Sequence, residues 1–334
     1  MKRLYLFFLL LIISGCGQPG KTGNKSFSSS IKPQAKVLGA DVYAWFPDGR
    51  VKKVSAGDGI YVHPCVHPEG GDVIFYGAVF DMPPRILKAN LVNGEITALT
   101  PAGLASDNAV YSWDGKKIVF CSDRASGRKP ASIEDVAKFP PPEDGIINIF
   151  IMDANGQNVR QLTSGPYQDQ RPCFSPDGKT IAFVSNRGSS KGEFRLWSLA
   201  VEGNITRMAD AKKPKLMNRD VLAYRPWWSK DGKSIYFFTD VDGRQRICQI
   251  PAEGGEFTTF ANDDKGNSRG PFADPGSDVL LMHSTRDGIW KIWELPLDGV
   301  SEPRLLQPPG FPKATHPTRA KNGVITFDVW KVAN

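Results

Sequence analysis

A column of basic and polar side chains in this sequence has the chemistry to bind an anion. One such residue stands seven positions before a glycine in each of six segments: His63, Asn108, Arg171, Arg225, Arg269 and His316. Guanidinium and imidazole groups that meet in one place bind carboxylates and similar anions. The column therefore predicts an anion site, such as one for an acidic peptide or a sugar acid, provided that the fold brings the positions together.

A structural alternative exists for the same arginines. Acidic residues occur near them in sequence, namely Asp169, Asp220 and Asp264. Ion pairs between these groups would hold neighbouring parts of the fold together and would leave no charge for a ligand. The sequence leaves both interpretations open.

The elements that must position this column are hairpins. Residues 171–188 read RPCFSPDGKTIAFVSNRG, in which Ser175 and Asp177 resemble catalytic groups. The phrase recurs with its glycine at positions 70, 115, 178, 232, 276 and 323, whereas catalytic triads do not come in several copies. Serine, proline, aspartate and glycine are turn residues, and alternating apolar residues follow them. Each copy therefore predicts a tight turn between two strands, and we predict no catalytic residue.

A second turn follows each of these hairpins, so that one unit contains four strands. Its glycine lies at positions 94, 156, 203, 254 and 299, and another turn of this type, at Gly49, has no hairpin before it. The final copy of the first turn, at Gly323, has no second hairpin after it. The two ends of the chain would complete one unit together. We therefore predict an all-β fold, a six-bladed β-propeller over residues 40–334, with one blade closed by N- and C-terminal strands.

The repeated phrase resembles the WD40-like, or PD40, repeat of TolB-like β-propellers. Arg171 to Gly188 matches that repeat almost throughout, and Asp153 to Thr163 resembles the hairpin that accompanies it. The resemblance covers nearly the whole chain after Gly39. No counterpart of the α/β domain that precedes the TolB propeller occurs in this sequence.

The resemblance implies a non-catalytic binding module in the cell envelope. TolB-type propellers bind a peptidoglycan-associated lipoprotein, so a similar envelope protein is the expected partner. The alternative is a carbohydrate- or peptide-binding propeller, or a carbohydrate-active enzyme similar to oligogalacturonate lyases. Those lyases resemble seven-bladed, metal-dependent propellers with a histidine cluster, whereas this chain has four histidines that are scattered in sequence. Related repeats also occur in prolyl oligopeptidase-type peptidases. Residues 266–270 read G-x-S-x-G, but they lie in a predicted hairpin strand and not at the strand-to-helix turn that carries a hydrolase nucleophile.

The N-terminus has the pattern of an exported lipoprotein. Basic residues precede an apolar run from Leu4 to Ile13, and Cys16 follows small residues in a pattern that resembles the bacterial lipobox. We predict a signal peptide at 1–15, a lipidated Cys16 and a flexible tether at 16–39. The lipid would be the only membrane attachment. Gly17 follows the cysteine, which favours the outer membrane, facing the periplasm.

Charge and cysteine content bear on which partners, disulfides and metals are expected. The formal charge of +7 is spread along the chain without a dense basic run, which argues against nucleic acid. The other cysteines, at 65, 121, 173 and 248, are predicted to be buried free thiols. His63, Cys65 and His67 alternate along one predicted strand, but without further ligands they indicate strand packing more than a metal site. No cofactor is expected.

Overall fold

The structure is a computed structural model that describes residues 37–78, 85–101, 104–124, 146–189, 192–201, 215–217 and 222–332. These residues form strands and turns and include no α-helix. None of them belongs to a helix long and apolar enough to cross a membrane. The predicted signal peptide, Cys16 and the tether as far as residue 36 lie outside the described residues. The first strand begins at Val37, slightly before the predicted start of the fold.

Sixteen of the strands form four separate four-stranded antiparallel sheets. The first contains β7 (Ser106–Tyr111), β8 (Lys117–Ser122), β9 (Asn148–Asp153) and β10 (Arg160–Gln161). The second contains β11 (Asp169–Phe174), β12 (Thr180–Ser185), β13 (Arg195–Ala200) and β14 (Lys215–Leu216). The third contains β15 (Tyr224–Trp228), β16 (Ser234–Val241), β17 (Arg244–Pro251) and β18 (Thr258–Thr259). The fourth contains β19 (Ser268–Ala273), β20 (Val279–Ser284), β21 (Lys291–Pro296) and β22 (Arg304–Leu305).

The other eight strands form one continuous sheet. They are β1 (Val37–Trp45), β2 (Val51–Lys53), β3 (Ile60–Val66), β4 (Asp72–Ala78), β5 (Arg85–Asn90), β6 (Ile96–Ala98), β23 (Thr315–Arg319) and β24 (Ile325–Val332). β1 pairs with β24 from Val37 to Trp45, so strands from the two ends of the chain share a sheet. A single parallel bridge, Ala40 with Ile60, joins β1 to β3 and makes the two halves continuous.

The first strands of the successive units lie side by side in a closed circle. β3 contacts β7, and the contacts continue through β11, β15, β19 and β23 back to β3. We call these six strands the inner ring. Hydrophobic clusters fill the spaces between neighbouring sheets. Radial stacking of this kind buries both faces of each sheet and leaves short outer strands as the exposed edges. The predicted all-β class and propeller-like arrangement are confirmed.

The second strand of each unit carries the largest buried side chains. Phe120, Phe183 and Phe237 have no exposed surface, and Met282 takes the equivalent place in β20 with none either. Burying one such side chain contributes about 1.5–3 kcal/mol. On each of these strands the residues on either side of the large side chain point to the opposite face, and they are buried too, because a neighbouring sheet covers that face. The alternating apolar residues that predicted these strands therefore lie on only one of the two faces that are buried.

The repeated phrase forms the predicted turn. Ser175 Oγ donates to Asp177 Oδ1 at 2.6 Å, and the Gly178 amide donates to the Ser175 carbonyl at 2.9 Å. The amides of Lys179 and Thr180 donate to Asp177 Oδ1 and Ser175 Oγ. Gly178 has a φ of 70°, which a residue without a side chain adopts at little cost. The serine and aspartate therefore hold a hairpin together.

Candidate ligand site at one end of the inner ring

Five of the six predicted column residues share an unusual backbone conformation. Each lies at an irregularity in the pairing of its first strand with its second strand. Their φ angles are positive: 54° at His63, 51° at Asn108, 53° at Arg171, 51° at Arg225 and 52° at His316. A side chain in this conformation costs roughly 1–2 kcal/mol, and such strain concentrates at functional sites. The column is thus a real structural feature, built from one bulge in each strand.

The sixth member of the column was assigned wrongly. Gly270, with a φ of 61°, occupies the bulge of β19, and Arg269 precedes it as a regular partner of His283. The error arose at the turn. The Asp274 amide donates to the Val279 carbonyl as the Ser175 amide does to the Thr180 carbonyl, so Gly276 corresponds to Asp177 and not to Gly178. Aligning the repeats on glycine therefore shifted this copy by one residue.

Arg269 makes contacts that differ from those of the column residues. Its guanidinium lies 4.8 Å from the centre of the Trp290 ring, and its Nε donates to Gln245 Oε1. Burial lowers its pKa, and the nearby Arg171 acts in the same direction against the exposed Asp240. Arg269 therefore adds positive charge close to the bulge residues of the inner ring, although it does not occupy a bulge itself.

Three of the four histidines meet at this end of the ring. The ring centres of His63 and His316 are 4.6 Å apart, and those of His316 and His283 are 4.7 Å apart. The sequence analysis treated the histidines as scattered, whereas the structure brings three of them together. His283 lies on β20, a second strand, so no alignment of first strands includes it.

Two aspartates complete the cluster, and sequence reasoning missed both. Asp107 Oδ1 lies 3.3 Å from His63 Nδ1, and Asp107 Oδ2 accepts from Asn108 Nδ2 at 2.9 Å. Asp328 is fully buried and accepts from the His63 amide at 2.9 Å, from the Thr315 hydroxyl and, at 2.8 Å, from His316 Nδ1. Asp107 directly precedes the column residue Asn108, and this neighbourhood was the only feature of the sequence that could have predicted its place in the site. We call these two aspartates, the three histidines, Asn108, Arg171 and Arg225 the polar cluster.

Burial sets the protonation of the cluster. It lowers the pKa of His63 below 6.5, against the opposing effect of Asp107, and holds the pKa of His283 and of His316 well below 6.5. Burial, with help from Arg171, lowers the pKa of Arg225 to about 9, and burial raises the pKa of Asp328 to about 6. At neutral pH the histidines are therefore neutral while Arg225 keeps its charge.

Several polar atoms of the cluster are buried without a hydrogen-bond partner among the described residues. They are Arg225 Nη1, His63 Nε2 and His283 Nδ1. Burying a polar group without a partner costs on the order of 1–3 kcal/mol, so native structures seldom keep one. Two other side chains of the cluster are partly exposed to solvent, Asp107 at 21% and His316 at 11%.

Two of the three acids that were expected to neutralise the arginines, Asp169 and Asp264, pair elsewhere. Asp169 accepts from Arg187 Nε at 2.9 Å and from Ser185 Oγ at 2.6 Å, while Arg171 makes one long contact, 3.4 Å, to Asn108 Oδ1. Asp264 lies 3.6 Å from Arg286, and Asp220 lies outside the described residues. These two aspartates thus pair with arginines that follow a second strand. For Asp169 and Asp264 the structural alternative was wrong.

The structure does not group the residues of the weaker metal motif. His67 lies at a turn and packs on Tyr111, with ring centres 5.0 Å apart, away from the three clustered histidines. Within the described ranges no set of three or more histidine, cysteine and acidic side chains has the arrangement of a metal site. Cys65, Cys121, Cys173 and Cys248 are buried free thiols, as predicted, and burial raises the pKa of each.

An all-β chain whose sheets stack radially around an inner ring has the fold of a β-propeller. Comparison with solved structures makes this more specific, because the chain resembles the putative TolB from Agrobacterium tumefaciens with a TM-score of 0.65. The two share 14% identity over 87% of this chain and 98% of that one. The fold is therefore TolB-like. Oligogalacturonate lyase in complex with manganese also has a related fold, with a TM-score of 0.53 and 12% identity over 85% of this chain and 80% of that chain.

Sequence comparison gives a similar result over parts of the chain. A TolB homologue from Chlorobaculum tepidum is 29% identical over 210 residues, which is 60% of this chain and 41% of that protein. An uncharacterised peptidase, YuxL of Bacillus subtilis, is 28% identical over 152 residues, or 43% of this chain and 21% of the peptidase. The chain thus spans less than half the length of these relatives. No protein-family model matches it.

Proposed function

We propose that this protein is a non-catalytic binding module that receives an acidic segment of a partner protein at the polar cluster. The observation that carries the proposal is Arg225, whose Nη1 is buried and unpaired although two carboxylates lie nearby. Asp107 and Asp328 already accept hydrogen bonds from His63, Asn108, Thr315 and His316. Among the described residues, Arg225 Nη1 therefore has no anion as a hydrogen-bond partner.

We further propose that the inner ring defines six blades. Each half of the eight-stranded sheet contains four strands, β23-β24-β1-β2 and β3-β4-β5-β6, and one bridge joins them. The hydrophobic cluster of Val42, Phe75 and their neighbours lies between the halves, as other clusters lie between separate sheets. In this interpretation the terminal strands close the ring, and all six bulges face one mouth.

The cellular setting is an envelope lipoprotein. Cys16 would carry the lipid, the tether would let the propeller reach a partner, and the outer membrane facing the periplasm would be the location. The TolB-like fold supports a partner similar to a peptidoglycan-associated lipoprotein. An acidic segment of such a partner would complement the arginines of the cluster.

A binding or catalytic role toward carbohydrate is the second candidate. The gathering of His63, His283 and His316 favours it, as does the fold that the chain shares with oligogalacturonate lyase. Peptidase activity has the weaker support of partial similarity to a protein named as a peptidase. Incubating the purified protein with oligogalacturonate or with peptides, and following product release, tests both; steady turnover would contradict the non-catalytic proposal.

Partner capture tests the proposed function. The lipidated protein, cross-linked in its native membrane and purified in mild detergent, should retain a partner that is identified by mass spectrometry. Reversing the charge in Arg171→Glu and Arg225→Glu should reduce recovery of that partner by at least about tenfold, because an unpaired buried charge opposes an acidic segment. Lys179→Glu makes the same change of charge on an exposed turn and should leave recovery unchanged. Equal loss in all three variants, or in none, would overturn the proposal.

A further inference from the structure

A pocket lies on the turn side of the inner ring, where the first strands end. Its lining comes from the ends of five first strands and from the turns that follow them, and it includes Pro68, Tyr111, Trp113, Trp227, Phe272 and Arg319. The lining residues that belong to strands stand two or three positions after the bulge residues, and none of them is part of the polar cluster. Pro68, Trp113, Trp227 and Arg319 are partly exposed, so the space reaches solvent. We call it the turn-side pocket.

Two tryptophans in the wall of this pocket reach across the inner ring. Trp227 belongs to β15, yet it packs against the hydrophobic cluster that contains Tyr111 and other residues of the first two units. Trp113 follows β7 and packs against the cluster that contains Leu280 of β20. Its Nε1 donates to the Phe174 carbonyl at 3.1 Å. Both indoles are held from more than one side, so the wall that they form is in place before a ligand arrives.

Ser112 and Arg319, which are polar residues of the wall, already have partners. Ser112 Oγ donates to Asp114 Oδ1 at 2.6 Å. Arg319 Nη1 donates to Asp274 Oδ2 at 2.5 Å, and its Nη2 donates to Glu294 Oε1 at 2.6 Å. Another arginine, at position 304, also pairs with Glu294, so two cations balance two carboxylates. The pocket therefore offers a ligand mainly apolar surface.

The size of the turn-side pocket limits what can enter it. Its volume is about 40 Å³. One water molecule needs about 10–15 Å³ of such volume, so the pocket accepts about three waters, or a group of about four carbon atoms. Water finds few hydrogen-bond partners against an apolar wall, and an apolar group therefore displaces it favourably. The end of an aliphatic side chain matches both size and chemistry, whereas a sugar ring is larger and its hydroxyls would lose hydrogen bonds.

The turns around the pocket carry exposed charges of both signs. They are Glu69, Asp114, Lys116 and Lys321, which directly neighbour lining residues or pair with a neighbour of one. An apolar centre inside a charged rim is the pattern of a contact between proteins, and the carboxylates of this rim disfavour an anionic membrane surface.

We propose that the turn-side pocket receives an aliphatic side chain of about leucine size from a protein partner. The partner's surface around that side chain carries charges of both signs, which complement those of the rim. The inference goes beyond the proposed function, because it concerns a different part of the ring and does not depend on binding at the polar cluster.

Two small amides test the chemistry of the pocket in the full-length protein. N-acetyl-leucinamide and N-acetyl-asparaginamide have side chains of similar shape, and only the first is apolar. With 5-fluorotryptophan in the protein, held in lipid nanodiscs without free detergent, the ¹⁹F signals of Trp113 and Trp227 should shift on addition of N-acetyl-leucinamide. They should show an affinity at least about tenfold higher than for N-acetyl-asparaginamide. Trp45 and Trp330, on the terminal strands, are internal controls. Equal affinity for the two amides, or no shift with N-acetyl-leucinamide, would overturn the inference.

A variant that fills the pocket tests its place. Ala273 lines the pocket, so Ala273→Leu adds three carbon atoms to the wall and should weaken the binding of N-acetyl-leucinamide at least about fivefold. Ala56→Leu makes the same change at an exposed position and should leave binding unchanged. Equal affinity in the two variants would contradict the assignment. Should Ala273→Leu unfold, the ¹⁹F signals of the wild-type protein decide.

Photo-cross-linking tests the partner. p-Benzoylphenylalanine in place of Pro275, a lining residue at the turn position that Trp113 occupies in another unit, should link in the native membrane to a partner segment at or beside a leucine, isoleucine or valine. The same group in place of Val300, which is 84% exposed, is the control and should form no such link. No link from position 275, links to lipid alone, or links to segments without an aliphatic residue would overturn the assignment of the partner.

Discussion

Arg171 and Gly270 occupy the same position in two different strands of the inner ring. Each is the first residue of a bulge, and the proline that follows it also lies in the bulge. Their φ angles are 53° and 61°. The arginine extends a charged side chain from this backbone, whereas the glycine lets His283 and Arg225 pack directly against it. A repeated backbone feature thus gives a ring whose chemistry differs from one strand to the next.

Adding a side chain at Gly270 should cost more than the backbone conformation alone. Gly270→Ala combines a positive φ with a Cβ 2.9 Å from His283 Cε1, so we expect a loss of about 2–3 kcal/mol in the free energy of unfolding. Gly178→Ala has a φ of 70° and nothing within 4 Å of its Cβ, and should lose about 1 kcal/mol. Urea denaturation measures both, and equal losses would show that His283 does not confine the site.

The two roles of arginine should separate by mutation. Asp169 is buried and paired with Arg187, so Asp169→Ala leaves a buried cation unpaired and should cost about 3–5 kcal/mol. Arg171→Gly removes a side chain with one long hydrogen bond and relieves a strained φ, and should change stability by less than about 1 kcal/mol. Thermal unfolding with partner capture decides the matter, and a large loss of stability in Arg171→Gly would restore the structural alternative for that residue.

Thermal stability should fall as the pH is lowered from 7 to 5. His63, His283 and His316 have pKa values below 6.5 in the folded chain, so they contribute stability above pH 6.5 that is lost as they take up protons. Asp328 acts in the opposite direction, because its pKa is raised from 3.8 to about 6 and the folded chain gains stability as the pH falls through that window. The three histidines outweigh the single aspartate, so thermal stability should fall as the pH is lowered.

His283→Gln should make this pH dependence shallower, because it removes one of the three groups. His67→Gln changes the histidine that lies outside the polar cluster and serves as the matched variant. Differential scanning calorimetry between pH 5 and pH 7 measures the slopes. An unfolding temperature that is constant over this range, or equal slopes in the two variants, would show that the buried histidines do not behave in this way.

Membrane attachment should depend on one residue. Replacing Cys16 with serine removes the thiol that would carry the lipid, and the protein should move from the membrane fraction to the soluble fraction after cell lysis. Labelling cells with radioactive palmitate should mark the wild-type chain alone. Retention of the Cys16→Ser variant on the membrane would contradict the predicted anchor.

Much of the fold was predictable because its determinants are local. Ser175, Asp177 and Gly178 form their turn through contacts within a few residues, and the apolar residues after them mark a strand. Repetition of that signal gave the four-stranded units, and the unmatched turn at Gly49 predicted that the first and last strands would pair. β1 and β24 do so.

The candidate site was only partly predictable. Five column residues were recognised, because each stands at a fixed distance from its turn. Arg269 was chosen in place of Gly270, because one copy of the turn places its glycine one residue earlier, a difference that the hydrogen bonds show and the spacing conceals.

The sequence by itself determined the strands, the turns and five of the six positions at which the inner ring has a bulge, because these depend on neighbours along the chain. Only the tertiary structure brought His63, His283 and His316 together, supplied Asp107 and Asp328 to hold two of them, and left Arg225 Nη1 without a partner. The contacts of His63 with His316 and Asp328 join residues more than two hundred positions apart, across a ring that closes only when all of its sheets have stacked.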